Sequence, residues 1–261
     1  MKKILKAVGL YKPLIKLKSK LSYFKKIKTQ KKELKKRAHF YASFIKQNDL
    51  VFDVGANMGN RIEAFLHITP NIVAIEPQPS CINFLKTKFG KKIHIEPVGL
   101  SYEEGEANMF IADESTISSF SKEFISTLKQ TRFKQHQWDK QIKVPITTLD
   151  NLIKKYGTPH FCKIDVKGFE YEVLRGLDKA LPILSFEYCV PEFTENVTQC
   201  LSHLHIIDSN FEYNFSVQET MSWHEKDWKS YDDFLEIVIS EAFSKTLFGD
   251  IYVKQPSTII N

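Results

Sequence analysis

The chain has 261 residues, of which 43% are hydrophobic and 26% are charged. It is therefore long enough for one α/β domain with additions and too apolar to be intrinsically disordered. The formal net charge of +6 is unevenly distributed, because residues 1–37 hold 15 basic residues and one acid, whereas the remainder holds 22 basic and 30 acidic residues. This distribution predicts a mildly acidic globular body that carries a strongly basic arm.

The first 37 residues are predicted to form a basic amphipathic helical arm, and residues 38–261 the main domain. Apolar residues recur in the arm at spacings of three and four, as on one face of a helix: Leu14, Leu17, Leu21 and Phe24. Lysines fill the other faces. Two interpretations stay open, a solvated helix packed on the body and a helix lying on an anionic membrane surface or on a partner.

The cysteines and the apolar runs bear on the compartment. The four cysteines form no C-x-x-C motif, which argues against a zinc ribbon and favours a reducing environment: Cys81, Cys162, Cys189 and Cys200. No apolar run approaches the ~18 residues that span a bilayer, and the N-terminus lacks the uninterrupted apolar region of a secretion signal. We expect a cytoplasmic protein; if the arm lies on an anionic membrane, it would be peripheral on the inner membrane surface.

Residues 51–59 read VFDVGANMG, an apolar strand followed by a glycine-hinged loop. A second apolar run, Ile72–Ile75, ends in Glu76 and Pro77. Together they describe a nucleotide-binding βαβ unit. Its two glycines stand four residues apart in the pattern D-x-G-x-N-x-G, whereas a dinucleotide fold uses G-x-G-x-x-G. This spacing favours S-adenosylmethionine, whose zwitterionic amino-acid tail suits the loop better than a pyrophosphate.

The predicted cofactor residues are Asp53, Gly55, Asn57, Gly59 and Glu76. Gly55 permits a sharp turn and close approach to a ligand, and Gly59 opens the next helix, whose N–H groups face the ligand. Asp53 is expected to face the sulfonium or amino group, and Glu76 to accept hydrogen bonds from ribose hydroxyls. The structural alternative for Glu76 is a helix N-cap or a solvated turn.

Strands alternate with helices of about ten residues along the chain, which predicts a parallel sheet with helices on both faces. The predicted strands are 50–54, 72–75, 93–95, 161–166 and 183–188. The predicted helices are 37–47, 59–67, 79–88, 149–156, 169–176, 191–205 and 231–239. Residues 105–145 are predicted to be less regular, with a polar helix-like stretch that contains Trp138, and 144–147 is predicted to be strand-like. Two last strands, 211–217 and 250–254, are predicted to form an antiparallel pair at a sheet edge.

Two later segments, VPITTLDNL at 144–152 and KIDVKGFEYEVLRG at 163–176, complete a set of four motifs in order. Over residues 50–190 the chain resembles the FkbM family of S-adenosylmethionine-dependent methyltransferases. The resemblance implies a class I methyltransferase (Rossmann-like) fold, with a seven-stranded, mostly parallel sheet that has one antiparallel strand. It also implies S-adenosylmethionine as cofactor and O-methylation, often of sugar or other hydroxyl groups.

Position by position, the loop residues and Glu76 match the cofactor site of the family. Asp150 matches its T-L-D motif, and Lys163 and Asp165 match its K-I-D motif. The chain departs from the family pattern D-V-E-G at Lys167, which stands where the glutamate is usual. A lysine at this position argues against a pair of acidic side chains here, and against a metal ion bound by such a pair. No metal site is predicted.

The predicted catalytic residues are Asp165, Lys163 and Glu187, which lie at or near strand ends where ligands bind in open α/β sheets. Methyl transfer to a hydroxyl needs a base, because a hydroxyl is a poor nucleophile at neutral pH. Asp165 is the first candidate base and Glu187 the second, with a structural role bonded to backbone or to Arg175 as the alternative for Glu187. Lys163 is expected either to pair with Asp165 or to reach the pocket beside it.

The acceptor site is expected to come from the variable segments. Residues 115–121 are predicted to form a lid, and Trp138, Trp223 and Trp228 to stack on a sugar face or to anchor packing. The sequence thus predicts an S-adenosylmethionine-dependent O-methyltransferase acting on a hydroxyl of a sugar, glycan or related small molecule. The alternatives are an RNA-binding or RNA-modifying methyltransferase that uses the basic arm, and a non-catalytic partner protein of the same fold. Nucleic acid is disfavoured because the body is acidic.

Overall fold

In the computed structural model, residues 11–260 are described, with the backbone alone for residues 11–26. The strands are β1 (Val51–Val54), β2 (Ile72–Ile75), β3 (His94–Glu96), β4 (Gly99–Leu100), β5 (Gly105–Ile111), β6 (Lys140–Thr147), β7 (Phe161–Ile164), β8 (Ile183–Cys189), β9 (Glu212–Val217) and β10 (Phe248–Lys254). The helices are α1 (Tyr11–Ala42), α2 (Asn60–Phe65), α3 (Pro79–Phe89), α4 (Lys122–Gln130), α5 (Leu149–Tyr156), α6 (Glu170–Leu174), α7 (Thr194–Ile207), α8 (Tyr231–Val238) and α9 (Glu241–Ser244).

The main sheet has seven strands in the order β3-β2-β1-β7-β8-β10-β9. The strands β3, β2, β1, β7 and β8 pair in parallel, and β10 is antiparallel to both of its neighbours. The predicted class I methyltransferase fold is therefore confirmed. The two last strands do pair, but β10 lies inside the sheet, between β8 and the edge strand β9, so only β9 is at the edge.

Helices cover both faces of this sheet. Buried side chains of α1, α2 and α3 form one apolar cluster, and those of α5, α7 and α8 form the other. Most predicted helices are confirmed to within three residues at each end. The match reflects the alternation of apolar and polar residues, which each element needs to bury one face.

The first helix differs from its prediction. It runs without interruption from Tyr11 to Ala42 across the predicted boundary at residue 37, so the separate helix expected over 37–47 is wrong. No proline or glycine stands between residues 14 and 42, so nothing in the sequence ends a helix there. The last turn of α1 packs against α2, where the rings of Tyr41 and Phe65 lie 4.7 Å apart between centroids. The division into a 1–37 arm and a 38–261 domain stays a prediction.

Residues 105–145 also differ from expectation, because they are more regular than predicted. Strands β5 and β6 pair antiparallel over seven residues and, with β4, form a second sheet of three strands. The helix between them is α4, so the helix-like stretch predicted around Trp138 is wrong. The exposed side chains of β5 and β6 weaken the period-two apolar signal on which strand prediction depends.

One face of the main sheet changes from apolar to charged within about 7 Å along the strands. On β1 and β7, Val51 pairs with Phe161, and two residues later Asp53 pairs with Lys163. Side chains two residues apart share a face, and all four of these residues are at least 98% buried. The charged row lies toward the carboxyl ends of the strands, which is the edge where an open sheet binds its ligand.

None of the helices within residues 11–260 is both long enough and apolar enough to cross a membrane.

Candidate functional site

A cavity of about 300 Å³ opens at the carboxyl ends of β1, β2, β7 and β8. Its walls are the loop after β1, the end of β2, the turn after β7 and a segment of residues 115–120 that follows β5. Its size and its place at this sheet edge are those of a small-molecule site.

Gly55 fixes the loop after β1 against both neighbouring strands. Its N–H donates to the carbonyl oxygen of Ile75 at 2.9 Å, and its φ of +80° lies in the left-handed region that favours glycine. A Cβ at this position would lie 1.9 Å from the carbonyl oxygen of Asp165. The loop therefore follows this path only with glycine here, as the motif predicts.

Glu76 is 2% exposed and lines the cavity. Its Oε2 accepts the N–H of Asn57 at 2.7 Å, and its Oε1 accepts the N–H of Gln78 at 2.8 Å. Burial raises the pKa of Glu76 to about 7, although these two hydrogen bonds act in the opposite direction. The solvated turn is thus wrong as an alternative, and Gln78, not Glu76, is the N-cap residue of α3. A carboxylate has about four acceptor sites, so Glu76 keeps acceptor capacity for a ligand.

Two buried acceptors, Asp53 and Gln78, line the cavity. Asp53 is 2% exposed, and burial raises its pKa to about 6 against the attraction of Lys163 and Arg61. The Oε1 of Gln78 is buried and has no hydrogen-bond partner within the described residues. Because buried charges and unsatisfied buried acceptors are costly, both positions suit a ligand that brings donors or positive charge.

Lys163 pairs with Asp165 and also lines the cavity, so both alternatives raised by the sequence hold. Its Nζ lies 2.9 Å from Oδ2 of Asp165 and 3.9 Å from Oδ1 of Asp250, and its side chain is 2% exposed. Burial lowers the pKa of Lys163, but the two carboxylates raise it further, so it stays charged.

Asp165 and Glu187 converge on Lys167. The Nζ of Lys167 lies 2.6 Å from Oδ1 of Asp165 and 2.7 and 2.6 Å from the two carboxylate oxygens of Glu187. Arg175 pairs with Glu172 at 3.0 Å, so the suggested bond between Glu187 and Arg175 is wrong.

The two carboxylates differ in proton affinity. Burial raises the pKa of Asp165, but Lys163 and Lys167 more than offset burial and hold it well below its usual range. Burial and the charge of Asp165 raise the pKa of Glu187, against the attraction of Lys167. Lys167 and the two carboxylates around it all line the cavity, with side chains that are 18–25% exposed.

Several charged residues at the cavity were not predicted. Arg61 on α2 makes two hydrogen bonds of 2.7 Å to the carboxylate of Glu219, which also lies 3.7 Å from Arg37. Asp250 lies opposite Glu187 in the β8–β10 register. The polar residue in the first turn after Gly59 was a weak signal for Arg61. Glu219 lines the cavity, and Asp250 lies behind it, 3.9 Å from Lys163; both come there only through the topology of the last strands.

The predicted lid residues border the cavity. Ser115, Thr116, Ser118 and Phe120 line it. The Nδ2 of Asn57 donates to Oγ of Ser115 at 3.2 Å, which joins this segment to the cofactor loop.

Some predicted residues lie outside the described cavity lining. A Cβ atom added to Gly59 would lie 2.4 Å from a ring carbon of Phe89. The absence of a side chain here therefore lets the start of α2 pack closely against α3. Asp150 accepts the N–H of Asp178 at 3.1 Å. Trp223 and Trp228 contact each other at 5.1 Å in the apolar cluster beneath α1, which makes them packing anchors.

Within the described residues, no group of three or more His, Cys, Asp and Glu side chains is arranged to hold a metal ion.

The sequence profile of the FkbM methyltransferase domain matches residues 53–217, which is more than half of the chain. The chain belongs to the FkbM methyltransferase family. The match includes the loop after β1, Glu76 and the turn after β7. Membership confirms the predicted family, and S-adenosylmethionine is the cofactor of this family member. No curated protein matches the sequence.

The FkbM family member is similar to several solved structures. One is the FkbM methyltransferase of Methylobacillus flagellatus KT, with 13% identity over 78% of this chain and a TM-score of 0.48; the chain spans 43% of the length of that protein. A second is the precorrin-6y C5,15-methyltransferase of Geobacter metallireducens GS-15, with 12% identity, 84% and 86% of the two chains covered and a TM-score of 0.40. A third is fibrillarin of Aeropyrum pernix with natively bound S-adenosylmethionine, with 10% identity, 80% and 67% covered and a TM-score of 0.38.

Proposed function

We propose that this protein transfers a methyl group from S-adenosylmethionine to a hydroxyl of a sugar, glycan or related small molecule. One observation carries the proposal. A single cavity is lined by the cofactor loop and Glu76 and also by Asp165, Lys167 and Glu187. A donor side and a proton-accepting side thus share one space, which is what a displacement between two bound partners needs.

The residues of the loop side fit the cofactor. The buried carboxylate of Asp53 suits a sulfonium or ammonium group, and the remaining acceptor sites of Glu76 suit ribose hydroxyls. The unpaired Oε1 of Gln78 suits a further N–H donor. When bound, S-adenosylmethionine supplies a methyl group that is already activated by the positive charge on sulfur.

The acceptor side must orient a hydroxyl and take its proton. Asp165 stays ionised between two lysines, which makes it a weak base. Glu187 has a raised pKa, and a general base works best when its pKa is near the operating pH. We therefore assign the proton to a carboxylate oxygen of Glu187, which Lys167 positions. Asp165, held by Lys163, in turn fixes Lys167. This reverses the order of the two candidates predicted from the sequence.

A turnover screen tests the function. S-Adenosylhomocysteine release is measured with nucleotide sugars, polysaccharide fragments and RNA as acceptors, using the wild type, Glu187→Gln and, as a matched control, Glu172→Gln on α6, which is partly exposed and does not line the cavity. We expect release with a hydroxyl-bearing glycan that is lost only in Glu187→Gln. Release with RNA alone would favour the RNA-modifying alternative, and cofactor binding without any turnover would favour the non-catalytic one.

We also propose that the basic arm binds an anionic membrane surface and places the protein peripherally at the inner membrane. Five lysines of α1 are exposed, with Glu33 as the single acid between residues 27 and 37: Lys28, Lys31, Lys32, Lys35 and Lys36. Each lysine near an anionic bilayer contributes about 1 kcal/mol of attraction. The helical apolar residues earlier in the sequence suit lipid better than RNA.

Vesicle sedimentation tests the arm. A variant with these five lysines changed to glutamate is compared with the wild type on vesicles that contain anionic lipid and on neutral vesicles, alongside RNA retention. We expect sedimentation with anionic vesicles only, lost in the variant. Retention of RNA without sedimentation would instead favour the nucleic-acid alternative.

A further inference from the structure

The ammonium group of Lys167 is completely engaged by two carboxylates. Its three contacts are Oδ1 of Asp165 at 2.6 Å and the two oxygens of Glu187 at 2.7 and 2.6 Å. An ammonium has three N–H donors, so each donor has an acceptor. These carboxylates outweigh the effect of burial and raise the pKa of Lys167 well above its usual value. The group is therefore a permanent cation and not a base.

The backbone around Lys167 is built to keep this side chain in place. Lys167 and Gly168 both adopt left-handed conformations, with φ of +55° and +81°, which a lysine avoids unless its surroundings impose it. The carbonyl oxygen of Lys167 accepts a hydrogen bond of 2.6 Å from Oγ of Ser119. The N–H groups of Val166 and Gly168 donate to the carboxylate of Glu170 at 3.0 and 2.9 Å.

We propose that Lys167 is a built-in cation that occupies the position a divalent ion would take between Asp165 and Glu187, so that this carboxylate pair does not bind a divalent ion in this protein. Two carboxylates that converge on one point, with three oxygens around it, are a common set for a hard cation. Here that point is filled by a nitrogen fixed to the chain. A second cation at the same oxygens would be repelled by the ammonium at very short range.

This arrangement gives Lys167 a positioning role. Burial and the charge of Asp165 both favour the protonated form of Glu187, and Lys167 is the group that opposes them at contact distance. Its charge holds both carboxylates at the cavity and favours the ionised Glu187 that accepts a proton. A fixed lysine does this without an ion that must be acquired from solution.

Manganese binding tests the inference and needs no acceptor substrate, so its outcome is separate from that of the proposed function. Mn²⁺ is titrated into the folded protein and free Mn²⁺ is followed by electron paramagnetic resonance. The variants are Lys167→Met, Lys167→Ala, Glu187→Gln, the double variant Lys167→Met with Glu187→Gln, and Lys179→Met as a control that removes an exposed lysine. Thermal unfolding establishes that each variant is folded.

We expect the wild type and Lys179→Met to show no saturable site, and Lys167→Met to gain one saturable site, at least tenfold tighter than the weak non-saturable binding of the other two. The double variant is expected to lose it again. The inference is overturned if folded Lys167→Met and Lys167→Ala gain no site, or if the wild type already binds Mn²⁺ at a site that Glu187→Gln removes. If neither Lys167 variant folds, the comparison of wild type with Glu187→Gln decides: a wild-type site lost in Glu187→Gln overturns the inference, and its absence supports it.

Discussion

The backbone of Gly55 packs so closely on Asp165 that a Cβ atom added to Gly55 would lie 1.9 Å from the carbonyl oxygen of Asp165. The residue that shapes the cofactor loop is thus in backbone contact with the residue that begins the turn toward Lys167. In the β1–β7 pair, the N–H of Asp165 in turn donates to the carbonyl oxygen of Val54 at 2.9 Å. The donor and acceptor sides of the cavity are therefore joined through the adjacent backbone of β1 and β7.

Replacing Gly55 by alanine is expected to abolish cofactor binding. The added Cβ meets backbone atoms that cannot rotate away, and the left-handed conformation adds strain of about 1–3 kcal/mol. Isothermal titration with S-adenosylmethionine measures the first effect and urea unfolding the second. The control is Gly90→Ala, which has a φ of +56° but nothing within 4 Å of its Cβ position, so it should lose some stability and keep its affinity. Equal affinities for both variants would contradict the loop assignment.

The Asp53→Asn variant is expected to be more stable than the wild type above pH 6 and to bind the cofactor more weakly. Burial raises the pKa of Asp53 to about 6, so the folded state holds its proton more tightly than the unfolded state does. Stability from this group is therefore present below pH 4 and is lost as the pH rises through 6, and asparagine avoids the loss of up to about 3 kcal/mol. Urea unfolding between pH 4 and 8 measures the difference.

Asp208 supplies the control for that series. The N–H of Asn210 lowers the pKa of Asp208, so its stabilising effect is present at high pH and is lost as the pH falls. Asp208→Asn should therefore be slightly less stable than the wild type at pH 8. A loss of stability at pH 8 in Asp53→Asn would show that Asp53 is already paired and is not an open ligand for the cofactor.

The Glu187→Gln variant is expected to lose a factor of about 10²–10⁴ in turnover, the usual contribution of a general base. In the wild type, kcat/KM should rise as the pH increases through the pKa of Glu187, which burial and Asp165 raise, and then level off. Initial rates with the acceptor identified in the screen measure this profile. A flat profile from pH 5 to pH 9 would remove Glu187 from the role of base.

Substitutions of two tryptophans are expected to have different effects, one on cofactor binding and the other on stability. The Nε1 of Trp138 donates to the carbonyl oxygen of Ile117 at 3.0 Å, which holds the segment that lines the cavity. Trp138→Phe should weaken S-adenosylmethionine binding about three- to tenfold, equivalent to one net hydrogen bond of ~1 kcal/mol. Trp223→Phe removes ring contacts with Phe40 and Tyr252 and should lower the melting temperature while affinity stays the same.

Much of the fold was predictable because each element carries its own local signal. Apolar runs such as Ile72–Ile75 bury both faces of a parallel strand, and the glycine at position 55 is required by the backbone path itself. Of the hairpin of β5 and β6, only residues 144–147 were predicted as a strand; the rest was missed because its side chains are largely exposed and its apolar period is weak. The continuous helix α1 was divided in the prediction because its apolar stripe fades where lysines become frequent, although nothing there ends a helix.

By itself, the sequence determined the nucleotide-binding unit, the acid at the end of β2 and the family of the chain, because these depend on residues close together along the backbone. Only the tertiary structure decided the partners of the charged residues. Lys167 appeared in the sequence as a departure from a motif, and only its contacts with Asp165 and Glu187 gave it a role. Glu219 reaches the cavity from the far end of the chain, and Asp250 reaches Lys163. Contacts between strands distant in sequence depend on sheet topology, which local pattern does not encode.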